Sequence, residues 1–485
     1  MANIVGIDLG TSTTLVARFT DAGIAETTNN ADGEQLTASV IQIEPGGVVI
    51  CGKEAKKLVG LGSDNLFAAF KRDLGGSQSW QVYGRTITPE DLSGYLLKQV
   101  MSDYVDQFGQ PDTTVISWPA NFTDRQKVAT QEAARRAGLQ VQHFINEPTA
   151  AALYYALSLK LTGKFLVYDM GGGTFDVTVV EVRGSDVKVI FSEGVDRLGG
   201  TDMDEAMLGI IASKFQAQTG GTFSRLDSSF TLLDLESPKH SLSTRDSTDI
   251  RVVSDQFGPR KLTITRAEFE AAIAPLIAKA EQACEAMLRS NQIAKGDIQE
   301  VFLVGGPSRV PALQASVQRL MGRKPLIRDP DHAVARGVAI FAALKTDPAK
   351  LTHLQRNALG SAKVIDITPH YFGLALHEAY STTAMYNRVL IEKGLPVPHS
   401  IVKRFLTSEG ENRTGIRLII TQGPKSERDM GKVKVLHDKY VPIDPRGRPG
   451  EEIEVTFSYD ANGVMGCVLH ELPTGKKTKL NLQAD

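Results

Sequence analysis

Two short segments, far apart in the chain, carry the residues whose types and spacing could do chemistry. Asp8 and Asp169 each end an apolar run and stand just before a glycine-rich turn with hydroxyl residues, in IVGIDLGTST and LVYDMGGGT. A single glycine turn between strands is typical of an ordinary hairpin. Two copies can face each other across a cleft and hold one polyphosphate with backbone N–H groups and hydroxyls. The duplication therefore predicts a nucleotide site.

The two aspartates also predict a metal ion at that site. Opposed carboxylates, Asp8 and Asp169, suit a hydrated Mg²⁺, which keeps several waters and bridges to phosphate oxygens. The alternative is that each aspartate only caps its own turn. The presence of both copies favours the metal.

The elements that must position these turns repeat along the chain. Residues 2–345 alternate strand-like and helical runs, which predicts an α/β fold. A predicted strand at 113–117 is followed by a helix that ends at Gly138. A predicted strand at 300–304 is likewise followed by a helix over Pro311–Met321. Each half thus has a glycine hairpin and a later strand, turn and helix, which indicates a duplication at domain scale.

The remaining third of the chain has a different pattern. Residues 346–363 are polar and turn-prone, and short alternating runs follow them. This pattern predicts a compact antiparallel β-sandwich. The predicted strands are 388–391, 401–406, 416–421, 432–436, 453–459 and 479–482. We therefore expect a nucleotide-binding domain over 1–345, a linker over 346–365 and a sandwich over 366–485.

Charge and composition exclude several classes of partner. The chain has 54 Lys and Arg against 56 Asp and Glu, a net charge of -2, so no basic field for nucleic acid or membranes is expected. Its three cysteines are far apart and predict neither disulfides nor zinc. No basic leader and no apolar run of about 18 residues is present, so we expect a cytoplasmic protein.

Several longer motifs carry a family resemblance. The strings are GIDLGTSTTLVA, FAAFKRDLG, INEPTAAALYYAL, YDMGGGTFDVTVVEV, RLGGTDMD and VFLVGGPSRVP. In order and spacing they resemble the nucleotide-binding domain of the seventy-kilodalton heat-shock chaperones, the DnaK-like family. Residues 364–482, with IDITP, IEKGLPVP, EIEVTFSYDANGV and TGKKTKLNL, resemble that family's peptide-binding β-domain. The resemblance implies an actin-like ATPase domain of two duplicated lobes, followed by an antiparallel β-sandwich.

The resemblance also implies a role for each site residue. It implies that Asp8 and Asp169 organise Mg²⁺ through water, that the charge of Lys71 stabilises the transferred phosphoryl group, and that Glu147 orients the attacking water. Thr174 completes the implied catalytic set. The implied nucleotide ligands are Gly10, Thr11, Ser12, Thr13, Gly171, Gly172, Gly173, Thr174, Gly199, Gly200, Glu236, Lys239, His240, Ser243, Gly305, Gly306, Ser308, Arg309 and Asp331. Without the resemblance, Lys71 reads as a surface charge and Glu147 as a charge that complements a helix N-terminus.

A peptide groove is implied for the sandwich. Its residues would be Leu374, His377, Phe405, Ser408, Ile416 and Leu418. The apolar members are equally what a sandwich core needs. The chain stops soon after the last predicted strand, so we expect no helical lid. Peptide binding would rest on backbone hydrogen bonds to an extended segment and one apolar pocket.

Three departures from the family pattern bear on regulation. Lys127 stands where the family has an arginine that relays nucleotide state, and lysine lacks the bidentate fork. His143 replaces an arginine that contacts J-domain proteins. Lys363 lies in a linker that is otherwise apolar in the family. We therefore expect looser coupling between nucleotide and peptide binding.

The leading hypothesis is an ATP-dependent chaperone with a slow ATPase. Its implied ligands are ATP or ADP with Mg²⁺ and K⁺, and its implied partners are unfolded or extended peptides, a J-domain protein and a nucleotide-exchange factor. One alternative is a nucleotide-binding regulatory protein with little turnover and one dedicated protein partner. A sugar kinase of the same fold clan is a further alternative, but it leaves the β-domain unexplained.

Overall fold

The computed structural model describes residues 2–58, 65–223, 230–377, 384–406, 415–423, 426–443, 452–480 and 482. Contacts divide the chain into two units. Unit one comprises Met1–Ala120 and Ala129–Val364, and unit two comprises Asn121–Val128 and Ile365–Asp485. Each is described by itself below.

The described α-helices are α1 (Lys53–Lys57), α2 (Pro89–Phe108), α3 (Asp124–Arg136), α4 (Glu147–Leu159), α5 (Gly200–Thr219), α6 (Glu236–Leu242), α7 (Arg266–Ser290), α8 (Pro311–Met321), α9 (Ala333–Lys345) and α10 (His353–Leu359). The described strands up to the division are β1 (Ile4–Asp8), β2 (Thr13–Phe19), β3 (Ala25–Thr27), β4 (Thr37–Ala38), β5 (Val40–Ile43), β6 (Val49–Cys51), β7 (Leu66–Ala68), β8 (Trp80–Val82), β9 (Arg85–Ile87), β10 (Thr113–Trp118), β11 (His143–Asn146), β12 (Gly163–Met170), β13 (Thr174–Arg183), β14 (Asp186–Asp196), β15 (Ser247–Ser254), β16 (Gly258–Thr265), β17 (Ile298–Val304) and β18 (Val364–Ile365). The later strands are β19 (Tyr371–His377), β20 (Met385–Ile391), β21 (His399–Leu406), β22 (Gly415–Gly423), β23 (Lys434–Pro442), β24 (Glu452–Tyr459), β25 (Met465–Glu471) and β26 (Lys477–Leu480).

Two sheets of unit one share a strand pattern. In the order β11-β10-β1-β2-β3, β1 pairs in parallel with β10 and antiparallel with β2. In the order β17-β12-β13-β14-β18, β12 pairs in parallel with β17 and antiparallel with β13. Both glycine turns therefore join antiparallel hairpin strands. The repeated pattern is consistent with the duplication that the sequence indicates.

Parallel pairing brings further loops to the same sheet edges as the glycine turns. Because parallel strands end at a common edge, the loop after β17 lies beside the turn after β12. The register pairs Asp169 with Val304, and Gly305 follows directly. In the other sheet the Ser117 hydroxyl donates to Asp8 Oδ1 at 2.9 Å. The sheets thus gather the polar residues of the predicted site at their strand ends.

Helices α4 and α9 cross in close backbone contact. Both are rich in alanine, and most of their residues are buried. A Cβ atom added to Gly337 of α9 would lie 1.8 Å from the carbonyl oxygen of Ala150 in α4. Only glycine fits at this crossing, and the two helices pack as one layer of unit one.

Unit two contains the predicted antiparallel sandwich. Its sheets have the orders β20-β19-β22-β23 and β21-β24-β25-β26. Alternate residues of both sheets form one buried cluster, in which the rings of Phe372 and Tyr459 meet edge to face with centroids 5.1 Å apart. The inward-facing apolar residues of these alternating runs therefore make the core.

Several boundaries differ from the sequence-based prediction, including the start of β20, which lies three residues before the strand predicted at 388–391. The predicted linker contains α10, because Thr352 and Gln355 form a capping box: Thr352 Oγ1 accepts from Gln355 N, and Thr352 N donates to Gln355 Oε1. The strand predicted at 432–436 is β23, which begins two residues later, after a short turn capped by Asp429. The strand predicted at 479–482 is β26, which begins and ends two residues earlier.

The short segment Asn121–Val128 belongs by its contacts to unit two. Lys127 is only 1% exposed, and its ammonium donates to the carbonyl oxygen of Gly463 at 2.8 Å. Asp124 accepts from the amide of Met465 at 3.2 Å. Burial lowers the pKa of Lys127, and the negative charge of Asp124 opposes that shift. The departure at this position is therefore a buried, hydrogen-bonded lysine.

Candidate functional site

A cavity of about 610 Å³ in unit one collects most of the residues that the sequence assigns to nucleotide binding and catalysis. The assigned residues that line it are Asp8, Gly10, Thr11, Ser12, Thr13, Lys71, Glu147, Asp169, Gly171, Gly172, Gly173, Thr174, Gly200, Glu236, Lys239, His240, Ser243, Gly305, Gly306, Arg309 and Asp331. They come from both hairpins and from loops more than 300 positions apart, so the fold brings them together.

The two glycine turns touch each other across this cavity. A Cβ atom on Gly172 would lie 2.2 Å from the hydroxyl oxygen of Ser12, and one on Gly173 would lie 2.6 Å from that of Thr11. The absence of side chains at these glycines lets the hydroxyl residues of the first turn approach the second. The opposed arrangement that the duplication suggests is therefore present.

Lys71 and Glu147 form an ion pair in the cavity wall. Lys71 lies in the short turn Phe70–Asp73, and Glu147 is the first residue of α4. The distance from Lys71 Nζ to Glu147 Oε1 is 2.6 Å, and the side chains are 5% and 13% exposed. Lys71 is thus a buried cation with a carboxylate partner, and the surface-charge alternative is wrong for it.

Asp169 is a buried carboxylate and Asp8 a half-buried one, and both interact electrostatically with the same pair. Burial, reinforced by repulsion from Glu147, raises the pKa of Asp8 to about 7, although Lys71 opposes the shift. Burial, followed by repulsion from Glu147 and Asp8, raises the pKa of Asp169 well above its usual value. Three carboxylates around one ammonium leave an excess of negative charge.

This donor set fits a magnesium ion held through water. Carboxylate oxygens are hard ligands, and Mg²⁺ commonly keeps several waters and takes one or two carboxylates together with phosphate oxygens. A cation at Asp8 and Asp169 would also offset the repulsion among the carboxylates, which adds to burial in raising the pKa values of Asp8 and Asp169. Across the described residues, no cluster of three or more His, Cys, Asp or Glu side chains could by itself hold a metal ion.

One wall of the cavity is built on the loop after β17. Gly305 has φ +84°, and a Cβ atom there would lie 2.1 Å from the carbonyl oxygen of Met170. Only glycine therefore lets this loop approach the second hairpin. Beyond it, Arg309 pairs with Asp331 at 2.5 Å, and the side chain of Arg309 remains 53% exposed. An exposed guanidinium held by one carboxylate leaves its flat face available for stacking.

Helix α6 forms the facing wall, and its charges have partners that the sequence did not indicate. The ammonium of Lys239 is buried and donates to Asp204 at 2.8 Å and to the carbonyl oxygen of Gly200 at 3.0 Å. Burial raises the pKa of Asp204 to about 6, while Lys239 opposes the shift. Glu236 pairs with Lys56 of α1 at 2.6 Å. Asp204 lies in the string RLGGTDMD but is absent from the residues assigned from the sequence. Its role as the partner of Lys239 becomes visible only because the fold buries both side chains.

Two assigned nucleotide ligands do not line the cavity. A Cβ atom on Gly199 would lie 2.6 Å from the carbonyl oxygen of Gly171, so this glycine packs behind the second turn. Its amide donates to Asp202 at 2.8 Å, and Asp202 also pairs with Arg72 at 2.9 Å. Ser308 is 1% exposed and lies behind the wall that Gly306 and Arg309 form. Both residues therefore support the wall from behind.

The residues assigned to a peptide groove occupy different environments in unit two. Leu374 and Leu418 are buried in the sandwich core, and Phe405 and Ile416 are partly buried against it. His377 is exposed, and Ser408 lies outside the described residues. Core packing alone accounts for Leu374 and Leu418.

Comparison with known proteins decides the family. A family model described as Hsp70 protein matches residues 4–83 and 78–485. The chain belongs to the Hsp70 family. It is also similar to Chaperone protein DnaK of Picrophilus torridus, with 33% identity over 502 aligned positions that cover 100% of this chain and 78% of the relative.

The Hsp70 assignment confirms the leading hypothesis. This Hsp70-family chain is an ATP-dependent molecular chaperone and hydrolyses ATP. Neither comparison favours the regulatory or the sugar-kinase alternative. The mixed sheets of unit one and the antiparallel sheets of unit two agree with the fold class that the family implies. Within the described residues, every helix is too short or too polar to span a membrane.

Proposed function

We propose that the cavity of unit one binds ATP or ADP with Mg²⁺, and that this site controls binding and release of extended apolar peptides by the sandwich. The observation that carries the proposal is that both glycine turns, Lys71 and Glu147 line one cavity. A 610 Å³ cavity is of the size that small ligands and cofactors occupy.

The phosphates would lie between the two turns. Backbone N–H groups of residues 10–13 and 172–174 and the hydroxyls of Thr11, Ser12, Thr13 and Thr174 would be the donors there, since the amide of Gly171 donates to the carbonyl oxygen of Thr174. Lys71 would stabilise charge on the transferred phosphoryl group, and Glu147 would orient the attacking water. Their ion pair holds both side chains near the cavity without a ligand. Phosphoryl transfer requires mainly such positioning and charge, so the protein need not form a covalent bond.

Asp8 and Asp169 would hold Mg²⁺ through water. When bound there, the ion would neutralise negative charge on the phosphate oxygens. The protein's own contribution is to keep two carboxylates at the ends of their strands, with Ser117 donating to Asp8.

The adenosine would lie between the loop after β17 and helix α6. Arg309 offers a planar face to the base, and Glu236, Lys239, His240 and Ser243 face the cavity from the other side. Because Lys239 is already hydrogen-bonded to Asp204 and Gly200, it offers a nucleotide hydroxyl at most its remaining donor. We assign Gly199 and Ser308 to supporting roles.

For the whole chain we propose two duplicated actin-like lobes in the nucleotide-binding domain, approximately 1–345, and a peptide-binding sandwich over 366–485. Unfolded or extended peptides, a J-domain protein and a nucleotide-exchange factor are the proposed partners, and the cytoplasm is the proposed location. The groove would use Phe405 and Ile416, which are partly buried at the edge of the core.

Peptide release with ADP and with ATP tests this proposal most directly. A fluorescent extended apolar peptide is bound to the full chain with ADP and Mg²⁺, and its release is followed after excess ADP or ATP is added. We expect ATP to speed release by about fivefold, the lower end of usual allosteric coupling, because the departures at Lys127 and Lys363 favour loose coupling.

The catalytic roles are tested in the same preparation. Lys71→Ala should abolish measurable single-turnover hydrolysis, whereas ATP should still accelerate peptide release. Equal release rates with ADP and ATP would contradict the coupling, and hydrolysis at the wild-type rate in Lys71→Ala would contradict the assigned catalytic site.

A further inference from the structure

Three polar side chains form a closed cluster at one corner of unit one. The hydroxyl of Tyr154 donates to Asp329 Oδ2 at 2.7 Å and accepts from Arg336 Nη1 at 2.9 Å. The same Nη1 donates to Asp329 Oδ2 at 2.9 Å. The guanidinium also lies 5.6 Å from the centre of the Tyr154 ring. Each member thus contacts both others, whereas an ordinary surface ion pair has a single contact.

The cluster holds a loop that reaches the nucleotide cavity. Asp329 has φ +48°, a left-handed conformation that non-glycine residues seldom adopt. Its side chain is fixed by the cluster, and its carbonyl oxygen accepts the amides of His332 and Ala333 at 2.9 Å, where α9 begins. The next two residues, Pro330 and Asp331, line the cavity. A residue in the left-handed conformation, held by four hydrogen-bond partners, therefore sets the direction of the cavity edge.

That edge is tied in turn to the loop after β17. The carbonyl oxygen of Pro330 accepts the amide of Gly305 at 2.9 Å, and Asp331 pairs with Arg309. Both Gly305 and Arg309 line the cavity. A shift of Asp329 would therefore displace several residues proposed to contact the adenosine.

The cluster also joins this edge to the helix that carries Glu147. Tyr154 lies two turns after Glu147 in α4, and Arg336 lies in α9. The two helices are in backbone contact at Ala150 and Gly337, so they form a stiff support. Tyr154 and Arg336 extend from that support to Asp329.

We propose that Tyr154, Asp329 and Arg336 are positioning residues that fix the Pro330–Asp331 edge of the cavity to helices α4 and α9, and that they slow the release of bound ADP. The inference rests on the nucleotide site proposed above. The three residues do not line the cavity and do not touch the phosphate turns. Their loss should change nucleotide release more than the chemical step.

The test compares two rates in the full chain. One is release of a fluorescent ADP analogue with Mg²⁺ into excess unlabelled ADP, and the other is single-turnover hydrolysis of bound ATP. Tyr154→Phe removes only the hydroxyl, and Arg336→Met removes the charge. Both variants should release ADP about five- to tenfold faster than wild type. This acceleration is smaller than the full loss of a hydrogen bond to a charged group would give, because the cluster acts on the cavity edge and not on the nucleotide itself. Hydrolysis in both should stay within about twofold of wild type, because Lys71 and Glu147 are unchanged.

Two further variants separate positioning from general stability. Arg336→Lys keeps a charged donor and should release ADP within about twofold of wild type. Tyr104→Phe removes another buried tyrosine hydroxyl, which donates to Asn3, and Tyr104 does not line the cavity. It should lower the melting temperature without changing ADP release.

Wild-type ADP release in both Tyr154→Phe and Arg336→Met would overturn the inference, as would an equal acceleration in Tyr104→Phe. If the wild-type chain binds no ADP analogue, the proposed nucleotide site fails and the inference fails with it. If the wild-type chain binds the ADP analogue but Tyr154→Phe and Arg336→Met release it at the wild-type rate, the proposed nucleotide site is retained and only the inference about the cluster fails.

Discussion

The ammonium of Lys71 donates a 2.6 Å hydrogen bond to Oε1 of Glu147, a residue 76 positions later in the chain. Lys71 comes from a short turn after β7, and Glu147 begins α4. Asp8 and Asp169 line the same cavity, so the one ammonium faces three carboxylates. The pair therefore does two things: it compensates buried negative charge, and it holds both groups where the phosphates are proposed to lie.

Removing one member of this pair should destabilise unit one more than removing both. Lys71→Met leaves one buried and two half-buried carboxylates without their cation, and we expect a loss of about 3 kcal/mol in unfolding free energy. In the double variant Lys71→Met with Glu147→Leu the loss should be smaller, because one carboxylate is also gone. Urea unfolding of the four proteins in the cycle measures the difference.

The matched control is the exposed pair of Lys57 and Glu54, whose side chains are 58% and 56% exposed. Lys57→Met should change stability by less than about 0.5 kcal/mol. An equal loss in Lys57→Met and Lys71→Met would show that the buried pair has no special role.

Glu147→Gln should separate hydrolysis from nucleotide binding. The amide keeps the shape but loses the negative charge that we propose orients the attacking water, so the single-turnover rate should fall by about a hundredfold. ATP affinity should change by less than about threefold, because Glu147 is not assigned to hold the nucleotide. Rapid-quench measurement of one turnover and equilibrium titration with an ATP analogue give the two numbers. Glu54→Gln, on the exposed pair, should alter neither.

Asp8→Asn and Asp169→Asn should raise the magnesium requirement of the ATPase. Each replacement removes one charged oxygen donor behind the water shell of the ion, and losses of about ten- to a hundredfold in metal affinity are usual for such groups. The measurement is a magnesium titration of single-turnover hydrolysis at fixed ATP. Asp246→Asn is the control, because its side chain is 98% exposed. Unchanged half-saturation in both cavity variants would contradict the assigned metal role.

The pair of Lys56 and Glu236 should restrain ADP release in a salt-dependent way. Its atoms are 2.6 Å apart and its side chains 36% and 23% exposed, so it contributes at most about 1 kcal/mol. We expect Lys56→Ala to release ADP about two- to fivefold faster at low salt. The difference should shrink at about 1 M salt, where exposed charges are screened.

Stopped-flow displacement of a fluorescent ADP analogue at both salt concentrations checks this expectation. Lys53→Ala is the matched control, since Lys53 pairs with Glu34 on the surface. A salt-independent acceleration would mean that Lys56 acts through packing and not through its charge.

Much of the site was predictable because its signals are local. Asp8 and Asp169 before their glycine turns are read from residue type and spacing alone, whereas Lys71 and Glu147 are assigned only through the family resemblance of the strings that contain them. The hairpins follow as well, because an apolar β-branched run on each side of a glycine turn favours antiparallel pairing. The sandwich follows from alternating runs, each of which has one apolar face.

Other features depend on which polar groups the packing removes from water. The family resemblance implies that Lys239 contacts the nucleotide, whereas in the fold its ammonium is held by Asp204 and Gly200. The polar pattern predicts a linker where Thr352 and Gln355 cap a helix, although that capping signal is present in the sequence.

The sequence by itself determined the family and the activity, and it predicts the residues that carry the chemistry, because motifs at fixed spacing specify local turns and charges. Only the tertiary structure decided the partners: Lys71 with Glu147, Lys239 with Asp204, and Tyr154 with Asp329 and Arg336. The physical reason is desolvation. A charge needs a partner only once packing has buried it, and that burial depends on contacts between segments far apart in the chain.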